Sequence, residues 1–240
     1  MTADVLPYDN RTGRPPGRVV RSLGAVLPGV RRVLAQAEPY ADAWHAHNRR
    51  VLAAPSGRRR WVVLGDSMSQ SVGAGGHDRG WVGQLDERLA ASGVHLEVLN
   101  LSATGARVDD VLDQQLPALR GLPASTADAP DLVTVLVGSN DLFAGRRVRD
   151  ALPERFGALV DALPRGAVVA TLPQPRAAAR GANRHVDEAG ARGALRVVDM
   201  RTDGPDTWVG RVAEDRFHPN ERGYAAIADA FEPVVRRALG

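Results

Sequence analysis

From residue 58 onward, short and mostly apolar runs alternate with longer amphipathic stretches. Trp61–Leu64, Leu96–Leu101, Leu132–Val137, Val168–Leu172 and Leu195–Val198 read as strands. Helical periodicity appears between and after them, over Trp81–Ala91, Val108–Leu119, Val148–Leu163, Arg176–Ala191 and Asn220–Ala238. In the first of these stretches Trp81, Leu85 and Leu89 fall on one face. Strands without polar alternation are buried on both sides. Strands each followed by a helix predict an α/β fold, a parallel sheet of about five strands covered on both faces. No internal repeat is visible.

The first 57 residues have a different texture. Arg11–Arg18 is rich in Arg, Gly and Pro and reads as disordered. Ala41–Ala54 predicts one helix, with Trp44, His47, Val51 and Leu52 at i, i+3, i+7 and i+8, ended by Pro55-Ser56-Gly57. We therefore divide the chain into an Arg/Pro-rich extension, 1–57, and a main domain, 58–240. The most apolar early stretch, Val19–Ala35, is cut by Arg21, Arg31 and Arg32 and broken by Pro28, so it does not read as a spanning helix. Ser22–Val30 followed by Ala35-Gln36-Ala37 has the outline of a leader, but the apolar run is short and an arginine pair separates it from that site. The expectation is a cytoplasmic protein whose extension is mobile or docked. A weak membrane-surface contact through that extension is the other reading.

Composition removes several chemistries. The chain has no cysteine, which excludes disulfides, thiolate zinc and a cysteine nucleophile. All 31 basic residues are arginine, so a P-loop lysine, a Schiff base and a Ser–Lys dyad are also excluded. A formal charge of +3 and 5% aromatic residues argue against a nucleic-acid partner, despite clusters such as Arg58-Arg59-Arg60.

In parallel α/β sheets ligands bind at the carboxyl ends of the strands, and candidate chemistry recurs there. Gly65-Asp66-Ser67-Met68-Ser69 follows the first run, and a serine on a tight turn toward a helix is where a nucleophile is presented. The α/β-hydrolase elbow would need glycine where Ser69 stands, so that motif fails, and Ser67 alone reads as a turn residue. Asn100-Leu101-Ser102-Ala103-Thr104-Gly105 ends in a glycine whose backbone N–H a ligand can approach closely. Gly138-Ser139-Asn140-Asp141 offers a side-chain amide donor. Asp215 stands three residues before His218, close enough within one turn to orient the imidazole.

These blocks, in the order Ser, Gly, Asn, His, resemble the SGNH (GDSL-type) hydrolase family over roughly residues 58–239. The resemblance implies a flavodoxin-like, three-layer α/β/α sandwich and serine-dependent cleavage of carboxylic esters, with no cofactor. It implies Ser67 as nucleophile, His218 as base and Asp215 as its orienting acid. As oxyanion donors it implies the Ser67 and Gly105 backbone N–H groups and the Asn140 amide. Met68 and Ser69 stand where the commonest pattern has Leu and Thr, a departure that leaves the nucleophile untouched. Asp66 and Asp141 read as loop anchors that accept backbone N–H bonds.

The remaining candidates carry less. His45 and His47 are two apart, which does not put them on one helix face, so no metal site is expected. Gly73–Gly76 lacks the strand and the Lys-Ser/Thr of a phosphate loop and reads as flexibility near the nucleophile. Arg79, Arg107, Arg146, Arg147 and Arg216 flank the blocks, where pairing with surface acids competes with recognition of an anionic substrate. The expected partner is a small-molecule ester of short acyl length. Connections near the blocks are short or polar, and only Met68, Phe143, Trp208 and Phe217 stand near them as large apolar side chains. An acyltransferase or a carbohydrate O-deacetylase would use the same Ser-His-Asp site. A non-catalytic binding module is the reading from another class.

Overall fold

A computed structural model of the chain describes residues 6–15 and 27–240. Helix α1 (Pro28–Leu34) leads into α2 (Ala37–Ala53). The predicted alternation follows: β1 (Arg60–Gly65), α3 (Trp81–Ala91), β2 (Glu97–Asn100), α4 (108–120) and β3 (Leu132–Leu136). Then come α5 (Ser139–Leu142), α6 (Arg146–Ala162), β4 (Val168–Ala170), α7 (Ala177–Ala191), β5 (Arg196–Val198) and α8 (Glu221–Leu239). A π-helical turn, Val111–Gln115, interrupts α4 just before Pro117, which has no N–H to return to the preceding turn.

The strands form one parallel sheet in the order β2-β1-β3-β4-β5. Side chains alternate across it. Val62 and Leu64 of β1 join a core with α4, α6 and α7, while Trp61 and Val63 join a second core with α3 and α8. In the second core Trp81 stacks on Phe231 at 4.2 Å, and the buried Trp61 Nε1–H is satisfied by Thr134 Oγ1 at 2.8 Å. One core lies on each face of the sheet, so helices, sheet and helices make three layers. The strand order reverses between β1 and β3, and the loops leaving those strands open the crevice where ligands bind in such sheets.

β2 lies at one edge of the sheet, and helix α2 covers it. The Asn48 side chain accepts from Asn100 N–H at 2.9 Å and donates to Asn100 O at 2.7 Å, while His47 Nε2 meets Val98 O at 3.0 Å. Asn10 Nδ2 also donates to Asn100 O, at 2.7 Å, and Asn10 Oδ1 accepts from Asn48 Nδ2 at 3.3 Å. The backbone groups that a strand edge leaves unpaired are thus taken by side chains. The predicted helix over 41–54 exists and begins four residues earlier, at Ala37.

Arg11–Arg18 departs from the expected disorder in its described part. Residues 11–15 are irregular but tied down: Arg11 pairs with Glu38 at 2.8 Å and Asp42 at 2.7 Å, and Arg14 pairs with Asp110. The leader-like stretch starting at Ser22 falls outside the described residues as far as residue 26; its end forms the start of α1. Among the described residues no helix is long and apolar enough to cross a membrane.

Candidate active site

Gly65 ends β1 where the chain must turn sharply against β3. A Cβ there would lie 2.5 Å from Leu136 O and 2.6 Å from Ser69 Oγ, so only glycine fits. The turn that follows is closed by bonds from Ser69 N–H and Gln70 N–H to Asp66 O and from Val72 N–H to Ser67 O. Ser67 is almost wholly buried, and its Oγ sits 2.9 Å from His218 Nε2.

His218 and Asp215 lie on the loop before α8. Arg216 takes a left-handed backbone conformation (φ 57°) at its tip, and this brings the carboxylate back onto the residues after it. Asp215 Oδ2 meets His218 Nδ1 at 2.5 Å, while Oδ1 accepts the Phe217 and His218 backbone N–H groups at 3.0 Å each. Burial alone would push the Asp215 carboxyl up. The bond and charge of His218, with the two backbone donors, outweigh it and hold Asp215 below the usual carboxylate value. The loop is fixed at both ends: Ala213 N–H bonds His218 O at 2.8 Å, and Asn220 caps α8 by accepting from Gly223 N–H at 3.1 Å.

Gly105 lies beyond β2 at φ 78°, and apart from its chain neighbours no atom stands within 4 Å of where its Cβ would be. Asn140 Nδ2 donates to Ala106 O at 2.9 Å, which joins the loop after β3 to the Gly105 loop. Among the described residues no acceptor takes the Ser67 or Gly105 backbone N–H. Asp66 and Asp141 accept from the Met68 and Val108 backbone N–H groups at 3.0 and 3.2 Å. Burial pushes their carboxyls up, to about 6 for Asp66 and about 7 for Asp141.

Other residues hold this geometry, and sequence reasoning did not single them out. Gln70 Nε2 donates to Ser102 O at 2.9 Å and to Asn10 O at 3.0 Å, while its Oε1 accepts from Thr104 N–H at 2.8 Å and Thr104 Oγ1 at 2.6 Å. Asn100 Nδ2 donates to Ser69 O at 2.7 Å. The serine turn, the Gly105 loop and the N-terminal Asn10 therefore form one buried polar network. The glycine-rich stretch after Ser67 is pinned rather than loose: Gly73 N–H bonds Gln36 Oε1 at 2.7 Å, Tyr40 Oη bonds Ala74 O at 2.8 Å and Tyr224 Oη bonds Val72 O at 2.5 Å. His45 and His47 bond different carbonyls, Tyr8 O and Val98 O, and do not converge. Among the described residues no three His, Asp or Glu side chains cluster in a way that could hold a metal ion.

A model of the GDSL-like lipase/acylhydrolase family matches residues 63–226, more than half of the chain. Among solved structures the fold is similar to TesA, with 22% identity, a TM-score of 0.57 and coverage of 75% of this chain and 99% of that one. It is also similar to the psychrotrophic esterase EstA from Pseudoalteromonas sp. (18% identity, TM-score 0.56, coverage 75% and 98%). A third similar structure is a family 3 carbohydrate esterase from Clostridium thermocellum (17% identity, TM-score 0.53, coverage 76% and 98%). A search of curated proteins found no match.

Proposed function

The chain belongs to the family of GDSL-like lipases and acylhydrolases, and we propose that it cleaves short-acyl carboxylic esters through an acyl-enzyme on Ser67. The observation that carries this reading is the unbroken relay from Ser67 Oγ through His218 to Asp215, with links of 2.9 and 2.5 Å.

In this mechanism His218 Nε2 takes the Ser67 proton as Oγ bonds to the acyl carbon. Asp215, bonded to Nδ1, fixes the tautomer that leaves Nε2 free to accept and stabilises the imidazolium that forms. The carbonyl oxygen becomes an oxyanion and accepts from the Ser67 and Gly105 N–H groups and from Asn140 Nδ2. Asn140 spends one amide hydrogen on Ala106 O and keeps the other for the oxyanion. Donors aimed before the charge develops do not reorganise, and losing one costs about 10²–10³ in turnover. His218 then passes its proton to the leaving alcohol oxygen. Water enters, gives a proton to the same nitrogen and releases the acid, and Ser67 recovers its proton.

The test is covalent. A fluorophosphonate should label Ser67 and no other serine, as read by peptide mapping, and Ser67→Ala should abolish both labelling and turnover. Product analysis with an added alcohol separates hydrolysis from acyl transfer at the same serine.

A further inference from the structure

Two of the four phenylalanines, Phe156 and Phe231, are wholly buried. The other two are not. Phe143 is 53% exposed and Phe217 48% exposed, and the two rings meet edge to face with centroids 5.4 Å apart. Phe217 continues the contact to the His218 imidazole, at 5.0 Å and an interplanar angle of 86°.

The pair is built from two loops that the site already uses. Phe143 caps α5, three residues after Asn140, and its N–H bonds Ser139 O at 3.1 Å. The Arg176 guanidinium lies 4.9 Å over its ring and is itself held by Leu142 O at 3.0 Å. Phe217 is fixed by Asp215 Oδ1, the carboxylate that also orients His218. A rigid aromatic surface, open to solvent, thus stands against the imidazole.

We propose that Phe143 and Phe217 form the subsite for the alcohol moiety of the ester and that the moiety they accept is aromatic. The inference rests on the relay proposed above. His218 must protonate the leaving oxygen from Nε2, which requires that oxygen within about 2.6–3.2 Å of the nitrogen. The first atoms of the alcohol therefore lie beside the imidazole, whose flank is the Phe217 ring. The acyl carbon is held on the other side of that oxygen, at Ser67. A ring entering this position meets Phe217 and Phe143 in the offset or edge-to-face geometry that aromatic groups prefer, at the 4.5–7 Å spacing the two rings already show with each other. A short alkyl group covers less of the same surface.

The experiment compares 2-phenylethyl acetate with n-butyl acetate, whose alcohols are of similar acidity, using the full-length protein. The wild type is expected to favour the phenylethyl ester in kcat/KM. Phe217→Ala and Phe143→Ala are each expected to lower that preference about fivefold or more, mainly through KM, while Phe217→Tyr retains it. The proposal is overturned if neither alanine variant moves the preference. It is equally overturned if the variants instead alter selectivity between butyl phenylacetate and butyl butyrate, which would put the rings on the acyl side. Turnover that survives Ser67→Ala would overturn the nucleophile assignment itself, and this subsite with it.

Discussion

Gln115 grips the Gly65 peptide from both sides. Its Nε2 donates to Gly65 O and its Oε1 accepts from Gly65 N–H, each at 2.8 Å. The side chain issues from the π-helical turn of α4, and the peptide it holds stands two residues before Ser67. Gln115→Ala leaves the buried Gly65 N–H without that partner, a cost of about 1–3 kcal/mol, while Gly65 O keeps the Ala103 N–H at 3.2 Å. We expect Tm to fall by about 5–10 °C and kcat to fall about 10- to 100-fold as the serine turn shifts. Gln115→Glu should not rescue, because an ionised carboxylate cannot donate to Gly65 O. Thermal unfolding and steady-state kinetics on the two variants check both outcomes.

His218→Ala removes the proton acceptor without touching the fold's cores. Ester turnover should drop by about 10³-fold or more, with an unchanged circular-dichroism spectrum. EDTA should leave wild-type turnover as it was, since the proposed mechanism draws on side chains and backbone donors alone. Activity that disappears in EDTA and returns with a divalent cation would contradict that mechanism.

Asp141 gives stability a pH dependence of definite sign. Its carboxyl is pushed up to about 7 in the folded protein from an ordinary 3.8, first by burial. Between about pH 4 and pH 7 the folded state therefore holds a proton that the unfolded chain has released, and stability falls as pH rises through that window. Asp141→Asn keeps an acceptor for Val108 N–H and removes the titration. Relative to this variant, the wild type should lose on the order of 3 kcal/mol from pH 4 to pH 8, as read by urea unfolding at each pH. Asp66 acts in the same direction over a window that closes near pH 6.

Acetyl to butyryl esters should be hydrolysed with higher kcat/KM than lauroyl esters of the same alcohol. Each methylene that finds an apolar wall contributes about 0.8 kcal/mol; of the exposed large apolar side chains, Phe143 and Phe217 are engaged on the alcohol side in our reading, which leaves Trp208 and Val209 on the loop before α8. A cavity of about 380 Å³ lined by Arg59, Leu89 and Leu239 lies at the opposite, N-terminal ends of the strands and is out of reach of Ser67. A chain-length series on one alcohol, with Ser67→Ala as blank, checks this. Faster turnover of lauroyl than butyryl esters would refute it.

What the sequence disclosed was local in origin. Short, mostly apolar runs located all five strands to within about two residues, and the repeat of Trp81, Leu85 and Leu89 located α3 at both ends. Tight-turn residues at strand ends drew attention to Ser67, Gly105 and Asn140, and the spacing of Asp215 and His218 fits within one turn. Gln115, Asn10 and Asn48 escaped notice because their partners lie 50, 90 and 52 residues away. A buried amide with a distant backbone partner looks, in sequence, like any surface amide. Gly73–Gly76 misled for a related reason: glycine signals conformational freedom, while the bonds from Gln36 and Tyr40 that remove it come from α2 and the residue before it.

The covering of β2 by α2 has a consequence for any shortened form of this chain. A version beginning at Gly57 would lack Asn10, His47 and Asn48, and the Val98 carbonyl and the Asn100 N–H and carbonyl would turn outward together. A bare strand edge templates another strand, and the nearest supply is the same edge on a second molecule. Such a version should self-associate in proportion to concentration, its sheets joined strand to strand. The residues ahead of β1 thus occupy an edge that would otherwise be open to a second copy.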